Sequence, residues 1–97
     1  MNYPKKTRTV RITNEEGLHL RAATLIAEVV RRHQSKVTLC KGSNRVVGTD
    51  VLQIVTLGAG AGDEVLLEAA GSDAEAALDA LVDLFQGHFG NRNDDTE

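Results

Sequence analysis

A single cysteine, a single proline and no tryptophan in 97 residues leave several functions without their usual materials. Cys40 alone can close no internal disulfide and build no multi-cysteine metal site, so reducing surroundings are the simpler expectation. One tyrosine, two phenylalanines and a formal net charge of -3 argue against a nucleic-acid binder, which needs a basic face and often stacking aromatics. Long apolar runs are missing too: none approaches the roughly 20 residues that cross a bilayer. Met1 to Lys6 leads into a polar segment without the form of an export leader, and a cytoplasmic protein is expected.

What remains is ordinary globular composition, 41% apolar and 26% charged, with a core drawn from Val, Leu, Ile and Ala. The length suits one domain over residues 1–97, too small to enclose a deep cavity, so any chemistry should lie near the surface. Its ordered part is expected from about Thr7 to Gly90. The acidic tail over residues 91–97 has nothing to bury and should be frayed.

Val10 and Ile12 alternate with polar neighbours over Arg8 to Thr13, as a half-buried strand requires. After the turn-rich Asn14-Glu15-Glu16-Gly17, the spacing of Ala22, Leu25, Ile26, Val29 and Val30 predicts a helix that begins just after His19. Lys36 to Lys41 and Arg45 to Val47 form a hairpin about Gly42. Thr49 or Asp50 can cap a short helix, which the Gly58-Ala59-Gly60-Ala61-Gly62 connector ends. Glu64 to Ala69 reads as a fourth strand. Ser72 and Glu75 have the spacing of a capping box ahead of an amphipathic helix carrying Ala74, Ala77, Leu78, Leu81, Val82 and Phe85. The order β-α-β-β-α-β-α implies an α+β open-faced sandwich, with helices on one face of a sheet. Patterning does not fix the strand order.

His19 stands where a loop meets a helix. Unpaired backbone N–H groups and a partial positive charge gather there, ready for an anion, and an imidazole in that place can hold phosphate covalently. The helix field and the Arg21 guanidinium both oppose a positive charge on the free ring, leaving a nucleophilic nitrogen. Once phosphate is attached, Arg21 and the first-turn amides can hold its oxygens. A helix cap is the plainer role for a histidine so placed, and local spacing alone does not exceed it.

The stretch Gly17-Leu-His-Leu-Arg-Ala-Ala-Thr24 resembles the active-site signature of HPr phosphocarrier proteins: Gly, a hydrophobe, the phosphorylated His, any residue, Arg, Pro, Ala. Val51-Leu-Gln-Ile-Val-Thr-Leu-Gly58 is similar to the family's second-helix region at the family's distance from the histidine, and the likeness runs from about Thr7 to Gly90. It implies an antiparallel sheet in order 1-4-2-3, phosphorylation at Nδ1 of His19 and support from Arg21. It also implies a phosphoryl carrier with no cofactor or metal, not an independent enzyme. As a monomer it would receive the group from a phosphoenolpyruvate-dependent enzyme I and pass it to an EIIA-type acceptor.

This sequence departs from the family in places. Ala22 replaces the usual proline, which keeps a good helix former but leaves an extra N–H in the first turn. Asp50 occupies the position of a regulatory serine. It cannot be phosphorylated as serine is and should serve as an N-cap; Thr49 is the nearest hydroxyl. Relatives dock partners through exposed apolar residues that correspond to Leu20, Val51, Leu52 and Val55, whereas Ile54 and Leu57 are expected in the core. Glu28 and Gln53 stand where sugar-system members often carry lysine, leaving Arg31 as the nearby base and leaving open a sugar-related, nitrogen-related or regulatory branch. A regulatory docking module without phosphotransfer is the alternative function. His33, His88 and Cys40 have no companions that suggest chemistry, and the glycine run lacks the Lys-Ser/Thr ending of a phosphate loop.

Overall fold

Alternation along the strands and 3.6-residue periodicity along the helices converge on one buried layer between a sheet and its helices. The structure, a computed structural model, describes residues 3–90. In chain order it contains β1 (Lys6–Arg11), α1 (Leu20–Arg31), β2 (Lys36–Lys41), β3 (Asn44–Val47), α2 (Val51–Thr56), β4 (Glu64–Ala70), α3 (Ala74–Gln86) and a 3-10 turn over His88–Gly90. The four strands pair antiparallel in the order β1-β4-β2-β3. This is the α+β open-faced sandwich in the 1-4-2-3 order that the family resemblance implies. The tail over residues 91–97, expected to be frayed, lies outside the described residues.

Register decides which side chains meet the helices. Val10 pairs with Val65, Leu39 with Leu67 and with Val46, and all of them are buried in the one core. The first strand ends two residues earlier than the alternation suggests. Ile12 still lies in the core, because its N–H donates to the Asp63 carbonyl at 2.9 Å and its carbonyl accepts from Gly62 N–H at 2.8 Å. The sheet edge thus passes into the turn before β4 and brings the 14–18 loop against it.

Helix α1 buries Ala22, Ala23, Ile26, Ala27 and Val30. Leu25 and Val29, read as part of its apolar stripe, lie at the margin, half-buried. Small alanines at the centre of the contact let the helix backbone come close to the layer beneath, and larger side chains close its rim.

The capping box expected at Ser72 and Glu75 is not formed. The N-cap of α3 is Asp73, which makes no side-chain capping bond. Its carboxylate instead accepts from the Ser35 hydroxyl at 2.6 Å and from the Gln34 N–H at 2.9 Å, tying α3 to the α1–β2 connection. Two donors converging on one charged acceptor outweigh a single local cap.

The face of the sheet turned away from the helices carries one buried charge. Glu68 is only 6% exposed, and its carboxylate accepts from Arg45 at 2.6 Å and pairs with Lys5 at 3.4 Å. The Arg45 hydrogen bond, followed by the positive charges of Arg45 and Lys5, outweighs burial and holds the Glu68 carboxyl below its ordinary range.

Candidate functional site

The loop before α1 is fixed from both sides. Gly17 N–H donates to the Asn14 carbonyl at 3.1 Å, and the Asn14 side-chain amide returns a bond to the Gly17 carbonyl at 2.9 Å. Gly17 has φ +66, and a Cβ there would meet the Ala59 carbonyl oxygen at 2.6 Å, so only glycine fits both the conformation and the space. Leu18 N–H then donates to that same Ala59 carbonyl at 3.0 Å, and its side chain is buried. The glycine run thus serves as a wall for the loop, and its first-turn neighbour His19 is delivered at a set position.

His19 is the N-cap of α1, with extended backbone angles. Its carbonyl accepts from Ala23 N–H at 2.9 Å and its Nδ1 accepts from Arg21 N–H at 3.2 Å. Nδ1 therefore presents a lone pair to the helix N-terminus while the ring proton resides on Nε2. Nε2 lies 3.9 Å from the Glu16 carboxylate. About a third of the side chain is open to solvent, enough for an approaching group to reach it.

Arg21, two residues on, extends across the molecule. Its Nη2 donates to the Phe89 carbonyl at 3.0 Å. Phe89 has φ +57, uncommon for a bulky residue, and is held there by burial and by an edge-on contact with Phe85 at 4.9 Å between ring centroids. The ring contact orients a carbonyl, and the carbonyl anchors the guanidinium. Ala22 is fully buried in α1 as a helix former should be, so the helix persists without the first-turn proline.

Asp50 caps α2 by accepting from Gln53 N–H at 3.1 Å. Thr49 is exposed, and its carbonyl accepts from Arg31 at 3.1 Å. Of the apolar residues assigned to docking, Leu20 is 60% exposed, Leu52 71% and Val55 37%, whereas Val51 is half-buried against the core. Ile54 and Leu57 are buried, as their place in the apolar pattern predicts. Four apolar residues on the six-residue α2, with Leu57 at its C-cap, exceed what one face can bury, and the surplus lies outside.

Two of the remaining candidates, His33 and Cys40, have structural surroundings. His33 is half-buried, and its Nδ1 donates to the Val29 carbonyl at 2.8 Å, so it is not the solvated side chain its helix-end position suggests. Cys40 is buried on β2, and that burial pushes its thiol pKa up, away from reactivity. Among the described residues no group of three or more His, Cys, Asp or Glu is placed to hold a metal. The side chain of His88 lies outside what the structure describes. Sequence reasoning missed Asn14, Glu16 and Phe89. Asn14 and Glu16 stood in plain view in the turn before His19; Phe89 gives no local signal of its contact with Arg21.

A family model described as the PTS HPr component phosphorylation site matches residues 6–87. The chain is 38% identical over 82 residues to phosphocarrier protein HPr of Treponema pallidum, covering 84% of this chain and 93% of that one. It is 36% identical over 85 residues to phosphocarrier protein NPr of Shewanella violacea, covering 88% and 93%. A crystal structure of HPr-C-His from Thermoanaerobacter tengcongensis superposes with a TM-score of 0.85 at 36% identity, covering 90% of this chain and 98% of that one. An HPr dimer from the same organism superposes with a TM-score of 0.71 over 89% and 99%.

Proposed function

Since the chain belongs to the HPr family of phosphocarriers of the phosphotransferase system, we propose that His19 is its phosphoryl acceptor, loaded by enzyme I and unloaded by an EIIA-type protein. The observation that carries this reading is the Nδ1 of His19 accepting from Arg21 N–H at the start of α1. That bond keeps the nucleophilic lone pair on Nδ1. When Nδ1 attacks phosphorus, the Nδ1–P bond forms and the bond to the donor's leaving nitrogen breaks; the Arg21 amide is then placed to pass from Nδ1 to a phosphoryl oxygen. The Arg21 guanidinium supplies positive charge for the same oxygens, and the transfer needs no cofactor. Leu20, Leu52 and Val55, with the rim of Val51, form the apolar surface on which partner proteins dock. The carrier works as a cytoplasmic monomer, and like the rest of its family it catalyses no reaction of its own.

A reconstituted relay tests this. With enzyme I, phosphoenolpyruvate and an EIIA-type acceptor, the acceptor should become phosphorylated only when this protein is present, and His19→Ala should stop the relay while His33→Ala does not. Docking of both partners without any transfer would favour the alternative, a regulatory binding module.

A further inference from the structure

The positive end of α1 reaches the imidazole of His19 through the Arg21 amide on Nδ1, and it opposes positive charge on the ring. Phosphorylation at Nδ1 nevertheless creates positive charge there, because Nδ1 gives its lone pair to phosphorus while the proton stays on Nε2. The negative group facing that nitrogen is Glu16, with Oε1 3.9 Å from Nε2. Glu16 lies in the turn that Asn14 and Gly17 lock in place, three residues before His19, so its backbone is held at a fixed offset from the ring.

Resting on the phosphocarrier reading, we propose that Glu16 is a positioning residue for His19. Its carboxylate holds the ring proton on Nε2, leaving Nδ1 to attack, and balances the charge the ring acquires. In loading, the Nδ1–P bond forms as the bond between phosphorus and a phosphohistidine nitrogen of the donor protein breaks, that nitrogen keeping the electron pair. In unloading, a nitrogen of the acceptor histidine attacks phosphorus and the Nδ1–P electron pair returns to Nδ1, restoring the neutral Nε2–H ring. The Nε2 proton is retained through both steps. At 3.9 Å the contact is too long for a direct hydrogen bond; the carboxylate acts on the Nε2–H dipole of the neutral ring and on the full positive charge once Nδ1 carries phosphorus. Its partner groups are partly solvated, so the effect belongs to the modest, salt-sensitive class.

The test compares Glu16→Gln with Glu15→Gln, which removes the same charge one residue away. Ring 15N spectra of unphosphorylated protein, taken where the imidazole is neutral, report the ratio of Nδ1–H to Nε2–H tautomers without any need for phosphotransfer. Glu16→Gln should raise that ratio about two- to fivefold and slow loading from the phosphorylated donor by a similar factor at low salt. The rate difference should vanish in about 0.5 M salt, where screening reaches only a few ångströms. Glu15→Gln should change neither. Unchanged tautomers and rates in Glu16→Gln, or an equal effect of Glu15→Gln, would overturn the role of Glu16 while leaving His19 as the carrier. Wild-type protein that takes no label would overturn the carrier reading, and the role of Glu16 with it.

Discussion

The guanidinium of Arg21 and the carbonyl of Phe89, 68 residues apart in sequence, are joined by a hydrogen bond of 3.0 Å. The last turn of the described chain thereby sets where the arginine proposed to hold phosphate rests, and a phosphoryl group on His19 would compete with that carbonyl for it. Arg21→Ala should slow phosphorylation of His19 by about ten- to a hundredfold, because a donor to the developing charge is lost. Stability should change by less than about 1 kcal/mol, since the side chain is exposed. Stopped-flow transfer rates and a melting curve separate the two effects; an unfolded variant would show that the arginine is structural.

Gly17 makes the contrasting prediction. Its φ of +66 and the 2.6 Å approach of a Cβ to the Ala59 oxygen mean that Gly17→Ala strains the loop twice. A loss of about 1–3 kcal/mol in a urea titration is expected, with slower phosphotransfer as His19 shifts from its cap position. An unperturbed midpoint would mean that the loop adapts freely.

Much of this was legible in sequence. The helix start after His19 follows from the turn and the apolar spacing, and Asp50 caps α2 because its side chain meets Gln53 N–H three residues on. Both are local. The Ser72 cap is not formed: α3 takes Asp73 as its N-cap, and the Asp73 carboxylate is claimed by Ser35, 38 residues away. On the sheet's open face Glu68 is buried between Arg45 and Lys5, which the alternation of β4 does not reveal. Periodicity reports which face a residue occupies; it says nothing of distant partners that cover it.

Asp50 leads to a third prediction. A serine-specific HPr kinase should leave this protein unmodified, and Asp50→Ser should keep the α2 cap, since serine caps about as well. Removing a negative charge beside Val51, Leu52 and Val55 should speed loading of His19 by up to about fivefold at low salt, the effect of an exposed charge worth about 1 kcal/mol or less. A rate that stays the same or falls would confine Asp50 to capping.

Asp73 contributes to acid stability at the N-terminal end of α3. The Ser35 hydroxyl, and after it the Gln34 N–H, donate to the ionised carboxylate and hold its pKa below the ordinary value. The folded-state pKa is therefore the lower one. The resulting stability is fully present above the unfolded value, about 3.9, and is lost as pH falls from there through the folded value. Asp73→Asn should lower the urea midpoint at neutral pH and flatten its decline below about pH 4. A variant as acid-sensitive as the wild type would place the titrating group elsewhere.

The proposed function requires that the phosphoryl group be carried on Nδ1 of His19. Phosphorus-nitrogen correlation NMR on protein labelled with 15N in its histidines and loaded from enzyme I and phosphoenolpyruvate reads this bond directly. A single acid-labile phosphoramidate resonance coupled to Nδ1 of His19 and absent from His19→Ala is expected. Coupling to Nε2, to His33 or to His88, or no phosphoramidate at all, would contradict it.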